Sequence, residues 1–349
     1  MRSKSIAKKK SPPTLSQVAK AAGVGTTTVS RVINGGDFVH PKTLARVKRV
    51  IESMGYMPNQ AARVLKGDRT RTIGLIIPSI DDPFFSSCAE AAHEVARIHD
   101  SLLIVTSTQN DLKNEIENVK LLARHRVDGL MIAAGNSRNR PLAHLLEHLS
   151  MPVVAIDRPI SDSRIPAVIT GNFVAAKVAV EHLIQHGRKH IACLTGEQEL
   201  FTIRERIRGY RAATKHACLP ALIDGSVRDF DSAMRAIESL LSSASPPDAV
   251  FTLKNSTTIY VFEVLQKLGI AVPEAIALVG FDDFELASTL RPSITVLQQP
   301  VEEIGRAAAE LLFQRLQGHS EEPPNPSRQL KLIDTHLIVR RSCGCVTAG

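Results

Sequence analysis

From residue 72 onward, short apolar runs alternate with amphipathic stretches. The first series is IGLII (73–77), LLIV (102–105), GLMIAA (129–134) and VVAID (153–157); the second is AVIT (167–170), IACLTG (191–196), AVFTL (249–253) and IALVGFDD (276–283). Runs without polar alternation are what strands buried on both faces require, and the helical stretches at 83–97, 112–125, 173–186, 204–217 and 258–268 would cover them. Two series of strand–helix units predict two doubly wound parallel-sheet lobes, with a ligand crevice at the carboxyl ends of the strands. A last helix, about 301–317, and the strand HLIVRR (336–341) follow both series, so the chain is expected to cross back between the lobes before it ends.

Before residue 72 the period is helical. Thr14 and Gln17 have the spacing of a capping box, ahead of Val18, Ala19 and Ala22 on an inward face. A second helix, about 26–33, buries Val29, Val32 and Ile33 and turns Thr26, Thr27, Ser30 and Arg31 outward, and the Gly23-Val24-Gly25 joint makes the pair a helix-turn-helix. Pro41 opens a third helix and Gly55 follows its end; Leu44, Val47, Val50 and Ile51 face inward, Lys42, Arg46, Lys48 and Arg49 outward. A fourth segment, QAARVLKG (60–67), is too short to be stable alone and should fold only against a partner.

Charge separates the two regions. Residues 1–72 hold 15 Lys and Arg against Asp37, Glu52 and Asp68, a net of +12, which leaves −4 for the remainder of a chain whose total is +8. A local field of that size attracts a phosphate backbone, and the basic opening MRSKSIAKKKSPP would add non-specific affinity as a disordered arm. With 44% apolar residues and no window near ~18 uninterrupted apolar positions, the composition is that of a soluble protein, with no membrane span and no secretory signal expected. Five scattered cysteines fit reduced thiols in a cytoplasm better than a disulfide framework.

An ordered set of motifs then carries a resemblance. AGV, three residues on TVSRVING (28–35), then GYMPNQAARVL (55–65), IGLIIP (73–78), DGLMI (128–132), RIRGY (206–210), VGFDDFE (279–285) and LIVRRS (337–342) together resemble the LacI/GalR family of transcription regulators. The likeness runs from Thr14 to Ser342. It implies an all-α helix-turn-helix domain, a periplasmic-binding-protein-like α/β core, and a homodimer that binds a near-palindromic double-stranded DNA operator and senses a small effector without cofactor or catalysis. The organisation it implies is a basic arm (1–13), a DNA-binding domain (14–57), a hinge helix and linker (58–71) and a core (72–345). Within the core the expected N-lobe is about 72–168 and 299–330, the C-lobe about 169–298 and 331–345.

The resemblance assigns base contacts to Thr26, Thr27 and Arg31, with Ser30 on the same face. Arg31 can donate two hydrogen bonds to a guanine, whereas Thr offers one hydroxyl and a methyl, so Arg31 is expected to discriminate more strongly. Gly25 stands where the family usually has a capping Ser, which forfeits a side-chain cap. QAARVLKG resembles the family's hinge helix: Leu65 matches a minor-groove wedge, with Asn59, Ala62 and Arg63 on the facing surface.

For the effector, Phe84 and Phe85 match the family's pocket aromatic, Arg206 its anchoring arginine and Asp282 its late aspartate. Asp157, Arg158 and Phe173 are expected in the same cleft. Two departures from the family, Lys254-Asn255-Ser256 after AVFTL and Arg204 beside Arg206, add positive charge. They lead to the expectation of a sugar acid of the gluconate or 2-ketogluconate type, its carboxylate on an arginine fork and its hydroxyls on Asp282 and Asn255. If Lys254 and Arg204 only pair with local carboxylates, a neutral sugar or a purine takes its place.

Other classes fare worse. GVGTTT follows a helix instead of a strand, which fails the context of a dinucleotide loop, and no nucleophile elbow, phosphate loop or HExxH occurs. A solute-binding protein would need a secretory leader, and a sugar-processing enzyme an acid/base pair, for which Asp157 with Asp282 is the one candidate. No metal site is expected: Cys343 and Cys345 have no second Cys/His pair nearby in sequence, and His182, His186 and His190 run off a helix end into IACL.

Overall fold

The computed structural model describes residues 12–33, 35, 38–57, 69–161, 163–318 and 330–345. The chain divides into two compact units, residues 1–70 and 71–349.

In the first unit, α1 (Leu15–Ala22) is opened by the reciprocal Thr14–Gln17 capping box and closed by Gly23, whose φ of 65° only a residue without a Cβ adopts cheaply. Two residues later α2 (Thr26–Ile33) begins, and α3 (Pro41–Met54) has His40 at its N-cap and Gly55 after its end. Val18, Ala19, Ala22, Val29, Val32 and Val47 form one small core. Asn59, Ala62, Arg63 and Leu65, assigned above to the hinge helix, lie outside the described residues.

The second unit holds two six-stranded sheets with helices on both faces of each. In chain order its elements begin β1 (Thr72–Ile77), α4 (Pro83–Ile98), β2 (Leu102–Ser107), α5 (Leu112–Arg124), β3 (Gly129–Ile132), α6 (Arg140–Glu147), β4 (Val153–Ile156) and β5 (Ala167–Thr170). They continue with α7 (Asn172–Gln185), β6 (Ile191–Leu194), α8 (Phe201–His216), β7 (Leu222–Asp224), α9 (Phe230–Leu241), β8 (Ala249–Thr252), α10 (Asn255–Lys267) and β9 (Ala277–Phe281). The last are β10 (Thr295–Gln298), α11 (Val301–Leu316), β11 (Leu330–Ile333) and β12 (His336–Ile338). The strand orders are β11-β5-β4-β3-β1-β2 and β12-β10-β9-β8-β6-β7. Every pairing is parallel except β10 with β12.

Two strands sit in a different lobe from the one the pattern suggested. AVIT pairs with β4 and closes the first sheet instead of opening the second, so the chain leaves the first lobe after Thr170. Residues 330–333 pair with β5 in the same sheet, so the final return to the second lobe comes between β11 and β12. A fully apolar four-residue strand looks the same on either side of a crossover; only its pairing partner decides. The chain thus crosses between lobes three times, and Thr170 Oγ1 of the first crossing donates to Gln299 Oε1 of the second at 2.6 Å. The periodicity also left out α6, α9, β7, β10 and β11; all of these except the twelve-residue α9 are eight residues long or shorter.

Candidate functional site

Four strands end at one crevice. Asp82 follows β1, Asp157 and Arg158 follow β4, Lys254 follows β8 and Asp282 follows β9, so the groups converge from the carboxyl ends of both sheets. Asp157 (φ 65°) and Asp282 (φ 71°) both turn the chain in the left-handed region, which Asp tolerates better than most side chains. The backbone there aims each carboxylate inward instead of continuing the strand.

The buried groups form one network. Arg206, reaching in from α8, donates from Nε to Asn172 Oδ1 at 2.7 Å and from Nη1 to the Leu253 carbonyl at 2.7 Å. Its Nη1 stands 3.5 Å from Asp282 Oδ2, and its guanidinium lies 3.5 Å over the Phe281 ring. Gln299 Nε2 donates to the other oxygen of Asp282. Across the crevice Arg158 Nε donates to Asp157 at 3.0 Å, while Nη1 reaches Asn110 at 2.7 Å and the Ala134 carbonyl at 3.2 Å. Burial pushes both the Asp157 and Asp282 carboxyls above the usual carboxylate range, opposed chiefly by Arg158 for the first and Arg206 for the second. Burial likewise lowers Arg206, opposed by Asp282 and Asp157.

These groups enclose a cavity of about 40 Å³, lined by Phe84, Phe85, Leu200, Thr202 and Ile203 besides the charged residues. That is room for a water or two, whereas small-molecule sites run to ~300–1,000 Å³. A larger opening of about 390 Å³ adjoins it and shares Phe84, Asp282 and Gln299. Its rim groups Arg340 and Asp283 are spent on each other, with a bidentate pair at 2.9 and 2.7 Å.

Of the ten core residues singled out by sequence, Phe84, Phe85, Asp157, Arg158, Arg206, Lys254 and Asp282 line the inner cavity. Phe173 does not: its ring lies under the Arg208 guanidinium, 5.4 Å from it, on the outer side of the α7–α8 pair. Arg204 also stands outside the lining, donating to the Glu199 carbonyl at 2.8 Å and reaching Ser137 at 3.4 Å. Asn255 lines only the outer opening, and its Oδ1 accepts from the Ser256 amide. Sequence reasoning missed Asp82, Asn110, Asn172 and Gln299. The Asp82-Pro83 step was legible as a helix N-cap, which it is, but its second oxygen stands 3.6 Å from Lys254 in the other lobe, and no local signal carries that.

In the helical unit, Thr26, Thr27 and Arg31 are exposed and Ser30 half-buried on one face of α2, while Lys42, Arg46, Lys48 and Arg49 are exposed on α3. This is a polar, donor-rich helix face with a basic neighbour, the arrangement a major groove accepts.

Family comparison agrees with both units. Residues 14–59 match the model of bacterial regulatory proteins of the lacI family, and residues 70–335 match that of periplasmic binding proteins and the sugar binding domain of the LacI family. The chain belongs to the LacI family. It is a DNA-binding transcriptional repressor of that family and not an enzyme. Among its relatives is the HTH-type transcriptional repressor PurR of Aliivibrio fischeri (strain MJ11), 32% identical over 336 residues, covering 94% of this chain and 99% of that one. Among solved structures it is similar to the transcriptional regulator CelR–cellobiose complex, at 31% identity with a TM-score of 0.69 over 95% of this chain and 99% of that one. The Lac repressor dimer bound to operator and the anti-inducer ONPF shares the fold with a TM-score of 0.85 at 24% identity, over 95% and 99% of the two chains.

Proposed function

We propose that this repressor acts in the cytoplasm as a homodimer on a near-palindromic operator and is released by a neutral polyhydroxylated effector held at the Arg206–Asp282–Asp157 network. Charge balance carries the effector class. Asp82, Asp157 and Asp282 face Arg158, Arg206 and Lys254 around the cavity, so its charges are matched one for one, and Arg204, also counted toward a sugar acid, stands outside the lining. Carboxylates and arginines beside aromatic rings accept from and donate to hydroxyl groups without asking for ligand charge. The cellobiose complex of CelR is consistent with this chemistry.

A sugar acid remains a second reading on one observation: the Lys254–Asp82 pair joins the two lobes at 3.6 Å, so lobe opening frees Lys254 for a carboxylate. Thermal-shift screening against neutral sugars, sugar acids, phosphorylated sugars and purines separates the two, since a ligand at 100 times its Kd adds ~2.7 kcal/mol of stability. A shift with neutral sugars that Asp282→Asn removes and Lys254→Ala keeps supports the neutral effector. A shift confined to sugar acids and lost in Lys254→Ala overturns it in favour of the second reading.

A further inference from the structure

The fold joins two features that lie far apart in sequence. Cys345 Sγ stands 2.9 Å from His186 Nε2 and 3.4 Å from His182 Nε2, and one donor atom each from His182, Cys343 and Cys345 fall within 4.8 Å of one another. His182 and His186 are four residues apart, at the last turn and the end of α7, so both rings project from one helix face. His186 Nδ1 lies 2.8 Å from the His182 carbonyl oxygen. A carbonyl only accepts, so Nδ1 carries the proton and the Nε2 lone pair faces the thiols; a hydrogen bond from the far ring nitrogen is how imidazole metal ligands are held in orientation. The segment bearing the thiols is itself fixed: Ser342 Oγ donates to the Leu278 carbonyl at 2.6 Å and accepts from the Thr295 amide at 2.8 Å, and Cys343 is buried against the second sheet.

We propose that His182, His186, Cys343 and Cys345 form a Cys2His2 site for a borderline-soft divalent cation, zinc above all, which clasps the C-terminal segment to α7. Neutral imidazoles and thiolates with no carboxylate among them are a zinc-type donor set. Tetrahedral bonds of about 2.0–2.1 Å to nitrogen and about 2.3 Å to sulfur place neighbouring donors roughly 3.3–3.8 Å apart. The 3.4 Å contact already fits that spacing; His186 touches Cys345 but stands outside the 4.8 Å group of the other three donors, so its exposed ring must turn toward them to become the fourth ligand. Binding releases the thiol protons to solvent. A simple Cys343–Cys345 disulfide would leave both histidines, one with its tautomer fixed, without a role. The site is independent of the effector reading, because none of its residues lines the cavity.

The test uses the reduced, chelator-treated full-length chain, titrated with zinc against a chromophoric chelator and, separately, with cobalt(II). The expected result is one ion per chain, with thiolate-to-cobalt charge-transfer and tetrahedral d–d absorption. Cys345→Ser should lose about half the charge-transfer intensity, and His186→Ala should weaken zinc binding by roughly tenfold or more. Cys218→Ser, an exposed thiol elsewhere, should match the parent. Absence of bound metal, parent-like binding in both Cys345→Ser and His186→Ala, or thiols recovered as a Cys343–Cys345 disulfide after handling under air-free reducing conditions would each overturn the proposal. His186 is an exposed helix-end residue, so His186→Ala keeps the test decisive even where Cys345→Ser is poorly folded.

Discussion

Arg31 is an exposed guanidinium on the outer face of α2, free to read a base or to hold a phosphate. A bidentate contact to guanine is worth about 1–3 kcal/mol of discrimination, so Arg31→Ala should weaken operator binding by roughly ten- to a hundredfold while non-specific binding falls far less. Titrating both DNAs at several salt concentrations distinguishes this from a phosphate contact, which would weaken both alike. Gly25 offers the opposite kind of change: a Cβ built there meets only Thr27 Oγ1, at an ordinary 3.6 Å. Gly25→Ser should restore the N-cap of α2 and stabilise the DNA-binding unit by a few tenths of a kcal/mol, read as a small rise in its Tm. In the core, Glu115 is buried, and burial raises its carboxyl even though the Gly135 amide and Arg158 pull it down. The unfolded chain therefore ionises Glu115 first as pH rises, and stability falls through that window and stays lower at neutral pH. Glu115→Gln, which still accepts from Gly135, should be more stable than the parent at neutral pH, with the gain vanishing below about pH 4, where both forms are uncharged.

The RIRGY motif shows how one stretch of sequence serves helix packing and the crevice at once. Arg206 enters the crevice, Arg208 faces solvent, and Gly209 lets α7 and α8 touch, because a Cβ there would land on the Phe173 carbonyl and crowd Ala176 and Lys177. Gly209→Ala must push the two helices apart, at a cost of about 1–3 kcal/mol seen in denaturant unfolding. Tyr210 is fully buried, and its hydroxyl lies 2.7 Å from the Ile191 carbonyl and accepts from the Leu222 amide at 2.8 Å, which ties α8 to β6 and β7. Tyr210→Phe leaves those backbone groups unsatisfied and should cost about 1–3 kcal/mol. The strands that were legible beforehand are the continuous apolar runs. The elements that were not, β7 and β10 among them, have partly exposed or mixed residues whose burial is set by neighbours remote in sequence.

Across the core, the polar contacts between the lobes include Lys254 with Asp82, Arg204 with Ser137, and Gln299 with Thr170 and Asp282, and Phe201 packs against the first lobe's apolar core. With a cavity of only about 40 Å³ between them, an effector enters only if the lobes part. On the function proposed above, binding at that crevice and binding at the operator draw on one closure equilibrium. If effector weakens operator binding by some factor, operator must weaken effector binding by the same factor, which paired titrations with and without operator DNA can check. An effector whose affinity is unchanged by saturating operator would show that the crevice does not govern DNA binding.

The sequence alone determined the things that depend on local pattern: three head helices with their caps, the basic N-terminal region and the weakly acidic remainder, the parallel-strand runs, and the placing of Asp157, Arg206 and Asp282 just where strands or a helix meet the crevice. These follow from periodicity, capping chemistry and family motifs, all written over a few consecutive residues. Only the tertiary structure decided which lobe AVIT joins, that Lys254 answers Asp82 and Arg204 answers Ser137, and that Phe173 packs under Arg208 instead of lining the crevice. It also brought His182 and His186 to Cys345, across 163 and 159 residues of sequence. Such pairings are set by how helices and strands pack, and no window of neighbouring residues records them.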